Sequence, residues 1–283
     1  MTAEVRAEAE PQRAPRAVRS RPPALLAVPA LLGVLFLLLP LVGLLVRAPW
    51  RGMPGLLSDP LVLQALRLSL ECATAATAVS FVLGVPLAWV LARSQVPGRG
   101  ALRALVTLPL VLPPVVGGVA LLLAFGRTGV LGRWLDQWFG LTLPFSTAGV
   151  VVAETFVAMP FLVVSVEGAL RTADVGLEEA AATLGASRLA VLRRVTLPLV
   201  APSLVAGGVL CWARALGEFG ATITFAGSFP GRTQTMPLAV YLALQTDPEA
   251  AVALSLILLA VSVTVLLLLR ERWLRGPVPG QAA

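Results

Sequence analysis

The reactive side chains of this chain are few, and their types decide much before any fold is considered. Its 283 residues include 15 acidic side chains, 22 basic ones that are all arginine, two cysteines and no histidine. Without histidine there is no Ser-His triad, no His-Zn site and no His proton relay. Without lysine there is no P-loop grip on the β/γ-phosphates and no Schiff-base chemistry. Cys72 and Cys211 each sit in an apolar run and cannot alone complete a four-ligand metal site. They read as small core residues. No catalytic residue, metal or cofactor is expected, and the chain reads as a non-enzyme. What remains is ion pairing, hydrogen bonding and recognition by shape.

The densest cluster of such groups lies at 171–198. Asp174 is placed to cap a helix over Val175–Leu184, with Glu178 and Glu179 in its first turn, where negative charge meets the positive end of the helix dipole. Gly185 follows as a residue tolerant of positive φ. Ser187 is placed to cap a second helix, Arg188–Leu197, with Pro198 as its stop. Glu179, Ala180, Ala181, Gly185, Leu197 and Pro198 thus outline helix, sharp turn, helix. The unit reads as an interfacial hairpin without a partner or as a docking element that transmits force into the flanking segments.

Two further arginines face glutamates four residues on. Arg214 with Glu218, and Arg67 with Glu71, have the i,i+4 spacing of helical ion pairs. Arg214 either attracts an anion or pairs with Glu218 and holds its helix. The Gly217–Gly227 segment, with Gly220, Thr222 and Thr224, reads equally as a flexible gate or as an irregular connector. Glu154 and Glu167 fall near opposite ends of one apolar run, which counts against a mid-membrane proton site.

These groups must be held by apolar segments. Apolar residues make up 57% of the chain and charged ones 13%, against about 25% charged in ordinary globular chains. A soluble surface cannot be covered from so small a polar supply. Six spans are expected, at about 24–46, 61–92, 102–125, 148–170, 199–216 and 250–269. The fold class is therefore all-α, a polytopic membrane protein. The first run is long enough to cross a bilayer and longer than the core of a signal peptide, the rival reading. Residues 1–23 read as a disordered tail, 24–270 as the transmembrane domain and 271–283 as a second tail. In the second span, the small residues Ala73–Ala78 permit close helix approach inside the bundle. In the third, Pro109, Pro113, Pro114, Gly117 and Gly118 mark either a pore-facing or a merely kinked helix.

Arginine placement orients the spans. Five lie in the amino tail, three in the 93–103 loop, four in the 171–198 loop and three in the carboxyl tail. The alternate loops hold only Arg47, Arg51, Arg127, Arg133 and Arg232. That three-to-one bias puts both termini and the 171–198 loop in the cytoplasm. Trp50, Trp134, Trp138 and Trp273 fall near the expected interfaces. The net charge of +7 is scattered between apolar runs, which fits this topology better than a nucleic-acid surface.

At 179–198 the order is Glu-Ala-Ala, three residues, Gly, nine residues, Val195, one residue, then Leu197-Pro198. This resembles the coupling-loop signature of permease subunits of bacterial ATP-binding-cassette importers, with Val195 where Ile is usual. Residues Ala213–Thr222, Phe225–Gly227, Pro230–Ala239 and Leu143–Val150 look like the molybdate branch of that family, over about 55–275 in all. The resemblance implies an importer permease-type bundle in the bacterial cytoplasmic membrane, carrying molybdate, with tungstate a second candidate, by alternating access. It implies as partners a second copy of the chain, cytoplasmic P-loop ATPase subunits and an extracytoplasmic molybdate-binding protein. Glu179, Ala180, Ala181, Gly185, Leu197 and Pro198 would couple to the ATPase. Arg214, Gly217, Glu218, Gly220, Thr222 and Thr224 would lie at the path or its gate. A sulfate or thiosulfate permease is the alternative within the class, and an ATP-independent secondary transporter the alternative outside it. An intramembrane enzyme has little residue support.

Overall fold

The computed structural model describes residues 24–274, which form helices and connecting turns with no strand among them. The expected tail at 1–23 lies outside the described residues, as does 275–283 of the other tail. The chain divides into two units, Met1–Val46 and Arg47–Ala283. The described part of the first is one helix, α1 (Ala24–Val46), which carries no charged residue. A helix apolar on every side belongs in lipid or inside a membrane bundle.

The second unit begins with a short helix, α2 (Met53–Leu57), and then α3 (Pro60–Arg93), continuous over 34 residues. Asp59 caps α3 by accepting the Leu61 N–H. At 1.5 Å per residue α3 is about 50 Å long, more than the ~30 Å hydrocarbon layer requires.

The apolar run expected as one span at 102–125 is instead two helices, α4 (Arg99–Val111) and α5 (Pro114–Phe125), bent by 120° to one another. The cause is local. Leu112 and Pro113 hold ψ near 131°, outside the helical range. A residue before proline is pushed out of the helical region by the ring that follows, and here Pro113 and Pro114 do so twice in succession.

After α6 (Gly132–Phe139), α7 (Thr147–Thr172) starts on a cap in which Ser146 Oγ accepts the Gly149 N–H. It is the buried centre of the unit. Ala73, Ala76, Ala88 and Leu91 of α3 meet Ala158, Leu162, Val163 and Val166 of α7 in one apolar core. Small residues let these helices approach closely enough for dispersion contacts to replace lipid.

A hairpin follows: α8 (Val175–Thr183), a turn at Gly185, and α9 (Arg188–Val191). The expected stop at Pro198 is not there. From Arg188 the chain stays helical through a π-helical turn, Leu192–Thr196, into α10 (Leu197–Leu216). In a regular helix the Pro198 ring would press on the Arg194 carbonyl four residues back. The π turn widens the ladder just before the proline, with the Leu197 N–H reaching the Leu192 carbonyl five residues back.

Last come α11 (Gly220–Ala226), α12 (Met236–Thr246) and α13 (Pro248–Leu274). Five helices among the described residues are long and apolar enough to cross a membrane, or six if the bent pair α4 and α5 counts as one broken span.

Candidate functional site

The fold collects the chemistry-bearing residues at the two ends of the second unit. At one end lie the carboxyl ends of α3 and α7, the start of α4 and the hairpin. Asp174 Oδ1 accepts the Gly176 N–H at 2.8 Å, and Ser187 Oγ accepts the Ala190 N–H at 3.3 Å. Gly185 sits at φ +85°, a conformation that any Cβ would strain. Its N–H and that of Ala186 close back on the Ala182 and Ala181 carbonyls. The first helix ends at Thr183, one residue before expectation, and Leu184 stands at the tip.

Of the expected coupling residues, Glu179, Ala180, Gly185 and Pro198 are exposed, and Ala181 and Leu197 are half-buried. Leu184 is 89% exposed, and Val175, Leu177 and Leu189 are exposed beside it. The tip therefore presents apolar side chains among Glu179, Arg193 and Arg194, a composition typical of docking surfaces.

Glu178 behaves differently from its neighbour. Its Oε1 accepts from Arg93 at 3.0 Å and from the Thr196 hydroxyl at 3.1 Å. Consecutive helical residues point about 100° apart, so one glutamate faces the bundle while the next faces outward. A second ionic cluster ties the same end: Arg103 donates to buried Glu167, and Arg171 lies 4.0 Å from that carboxylate. Sequence spacing gave no sign of the pairs Arg93–Glu178 and Arg103–Glu167, whereas Arg171 and Glu167 are four residues apart on one helix. The adjacency of two glutamates at 178–179 was the available signal for opposed roles.

At the other end the Arg214–Glu218 pair is formed. Glu218 Oε2 lies 2.6 Å from the Arg214 guanidinium, and Glu218 Oε1 accepts the Ala221 N–H at 2.8 Å. Glu218 is thus both a counter-ion and the cap of α11. Its carboxylate is buried, whereas Arg214 keeps 28% of its side chain exposed. Arg67 and Glu71 also pair, on an exposed face.

Gly217 closes α10, and the segment after it is mostly regular helix. It is the helix α11, with Gly220, Ala221, Thr222, Phe225 and Ala226 buried. Gly118 of α5 packs directly on it: a Cβ there would fall 2.6 Å from Thr224 Cβ and 2.9 Å from the Ala221 carbonyl oxygen. Gly117 faces Phe156 of α7. The glycine pair therefore makes a helix contact. Glu154 is buried on α7, within electrostatic range of Glu218, and its Oε2 has no hydrogen-bond partner among the described residues. Thr222 Oγ1 is likewise buried without one.

Comparison with known proteins places this architecture. The family model "Binding-protein-dependent transport system inner membrane component" matches residues 84–276. The chain belongs to that family and is a multi-pass inner-membrane protein. It is 54% identical over 226 residues to the molybdenum transport system permease protein ModB of Mycobacterium tuberculosis, covering 80% of this chain and 85% of that one. To the sulfate transport system permease protein CysW of Escherichia coli K12 it is 39% identical over 224 residues, covering 78% and 77%. The fold matches that of a bacterial ABC transporter involved in the import of alginate, with a TM-score of 0.73 over 90% of this chain and 95% of that chain, at 18% identity.

Proposed function

We propose that this chain is the membrane-spanning permease subunit of an ATP-driven importer for molybdate. The observation that carries the reading is the 54% identity to a molybdenum permease across four-fifths of the chain, against 39% to a sulfate permease. The hairpin supports the energy source. The chain has no lysine for a P-loop, so ATP must be hydrolysed on a partner, and the exposed apolar tip at Leu184 offers that partner a grip. Glu179, Ala180, Ala181 and Gly185 form the docking face, and Leu197-Pro198 joins it to α10. The hairpin and both termini are cytoplasmic in this reading.

A second copy of the chain completes the path, and a binding protein outside the cell delivers the oxyanion. Arg214, Gly217, Glu218, Gly220, Thr222 and Thr224 stand by that path at its outer end. With Glu218 neutralising Arg214, the wall there offers the dianion only weak attraction, which suits passage better than retention. ATP-driven closure of the partner subunits rocks the spans about the core of α3, α7 and α10.

The test is uptake in cells lacking their own molybdate and sulfate permeases, supplied with this chain, its ATPase and its binding protein. Molybdate uptake that requires ATP and resists excess sulfate is expected. Sulfate uptake of equal rate, or uptake without the ATPase, would overturn the reading.

A further inference from the structure

We propose that Glu178, rather than the exposed Glu179, is the positioning residue that carries hairpin movement into the membrane bundle, by tying α8 at once to α3 and to the π-helical turn that opens α10. The inference rests on the permease reading above.

The helix α8 buries none of its residues. Packing alone therefore gives it little hold on the bundle. Among the described residues, its only side-chain hydrogen bonds to other elements are those of Glu178. Its remaining ones, from the Gly176 N–H to Asp174 and from the Thr183 hydroxyl to the Glu179 carbonyl, are local. A push on such a helix reaches the spans through the backbone at its ends and through Glu178.

The partners of Glu178 suit transmission. Arg93 is the last residue of α3, whose Ala88 and Leu91 are fully buried in the core shared with α7 and α10. Thr196 is buried and stands in the π turn directly before Pro198. One carboxylate oxygen thus meets the ends of two spans that are separate in the chain. The setting makes these bonds hard to replace. The Arg93 and Glu178 side chains are 15% and 21% exposed, and Glu178 lines a cavity of about 820 Å³ whose other walls include Val85, Trp89, Val166 and Leu170. Polar groups bond more strongly beside apolar walls and cost more when left unpaired. Among the described residues the Arg93 Nε has no hydrogen-bond partner and Glu178 is the counter-ion of that guanidinium, so loss of Glu178 would leave it unpaired there.

The experiment uses the whole transporter, with ATPase and binding protein, in proteoliposomes. The quantity read is ATP hydrolysed per molybdate delivered. Glu178→Gln is expected to raise that ratio about fivefold or more, the lower end of typical coupling between two sites. Thr196→Val, which removes one bond and keeps the volume, is expected to raise it less. The exchange Arg93→Glu with Glu178→Arg is expected to bring it back toward wild type, which a general loss of stability would not do. Glu71→Gln, in the exposed pair, serves as the control at the wild-type ratio. An unchanged ratio in Glu178→Gln, or an exchange no better than the single variant, overturns the proposal. If Glu178→Gln fails to assemble, Thr196→Val and the exchange decide. Wild-type vesicles that take up sulfate in place of molybdate would sink the substrate reading alone, and the ratio counted on sulfate would still judge Glu178.

Discussion

Arg93 and Glu178, 85 residues apart in the chain, meet at 3.0 Å where the carboxyl end of α3 touches the hairpin. The contact joins a long lipid-crossing helix to a surface element that buries nothing of its own. It divides the labour of two adjacent carboxylates. Glu178 is engaged inside the subunit, whereas Glu179 is exposed and is the one assigned to the partner in the proposed docking. Each role leads to a different measurement.

The docking role is tested at the tip. Leu184 is almost wholly exposed, and its apolar surface has no cover among the described residues. Leu184→Asp is expected to leave insertion and thermal stability unchanged, because no folded contact is lost. Copurification with the ATPase should fall at least tenfold, as about 1.4 kcal/mol of lost apolar contact would produce. Retention of the ATPase at wild-type levels would remove the tip from the interface.

The turn is tested at Gly185. At φ +85° a side chain costs roughly 1–2 kcal/mol, and a bulky one more. Gly185→Asp should therefore splay α8 from α9 without touching the buried core, since nothing lies within 4 Å of a Cβ there. Normal membrane insertion with ATP hydrolysis uncoupled from uptake is the expected phenotype. Normal molybdate uptake would show that the sharp turn is dispensable.

The packing of the broken span is tested at Gly118. A methyl group at this position meets Thr224 Cβ and the Ala221 carbonyl well inside contact distance, and neither is the free end of a long side chain. Gly118→Ala is expected to cost about 1–3 kcal/mol by overpacking. It should lower the thermal midpoint of the purified subunit by several degrees. Thr224→Ala in the same chain keeps Cβ and removes only the Cγ2 at 3.1 Å, so it is expected to recover little of the loss.

How far the sequence could be read depends on the range of the force involved. The continuous apolar run at Ala24–Val46 became α1 with those same ends, because run length and helix length are the same local property. The hairpin was legible for the same reason: Asp174, Gly185 and Ser187 act within three residues of themselves. Pro198 misled because a proline stops only a regular helix, and the π turn that accommodates it leaves no residue signature. Pro113-Pro114 was recognised as a weak point, but a kink and a 120° reversal read alike in one dimension. The Gly217–Gly227 segment reads as a gate or an irregular connector because the contact of Gly220 with Pro114 and Val115 of α5, about a hundred residues away, has no local signal. Arg93 with Glu178 and Arg103 with Glu167 were invisible as pairs, since only the placing of α8 against α3 and of α4 against α7 brings them together.

The Arg214–Glu218 pair makes a prediction in which two losses are smaller than one. Glu218 is 1% exposed and lies 2.6 Å from Arg214. Breaking a fully buried pair on one side costs about 3–5 kcal/mol. Arg214→Gln strands the 1%-exposed Glu218 carboxylate, so a loss of about 3 kcal/mol or more is expected. Glu218→Gln strands the more accessible charge and keeps an oxygen to accept the Ala221 N–H, so it should cost less. The double variant Arg214→Gln with Glu218→Gln leaves no unpaired charge and keeps the α11 cap. Its thermal midpoint is expected to lie above that of Arg214→Gln alone. Strictly additive losses would mean that the two groups do not stabilise one another. Uptake measured on the same three proteins separates holding from attraction. If the pair only holds the helix, the double variant keeps its apparent KM for molybdate. If Arg214 also draws the anion, the KM rises wherever the arginine is gone, whatever the midpoint does.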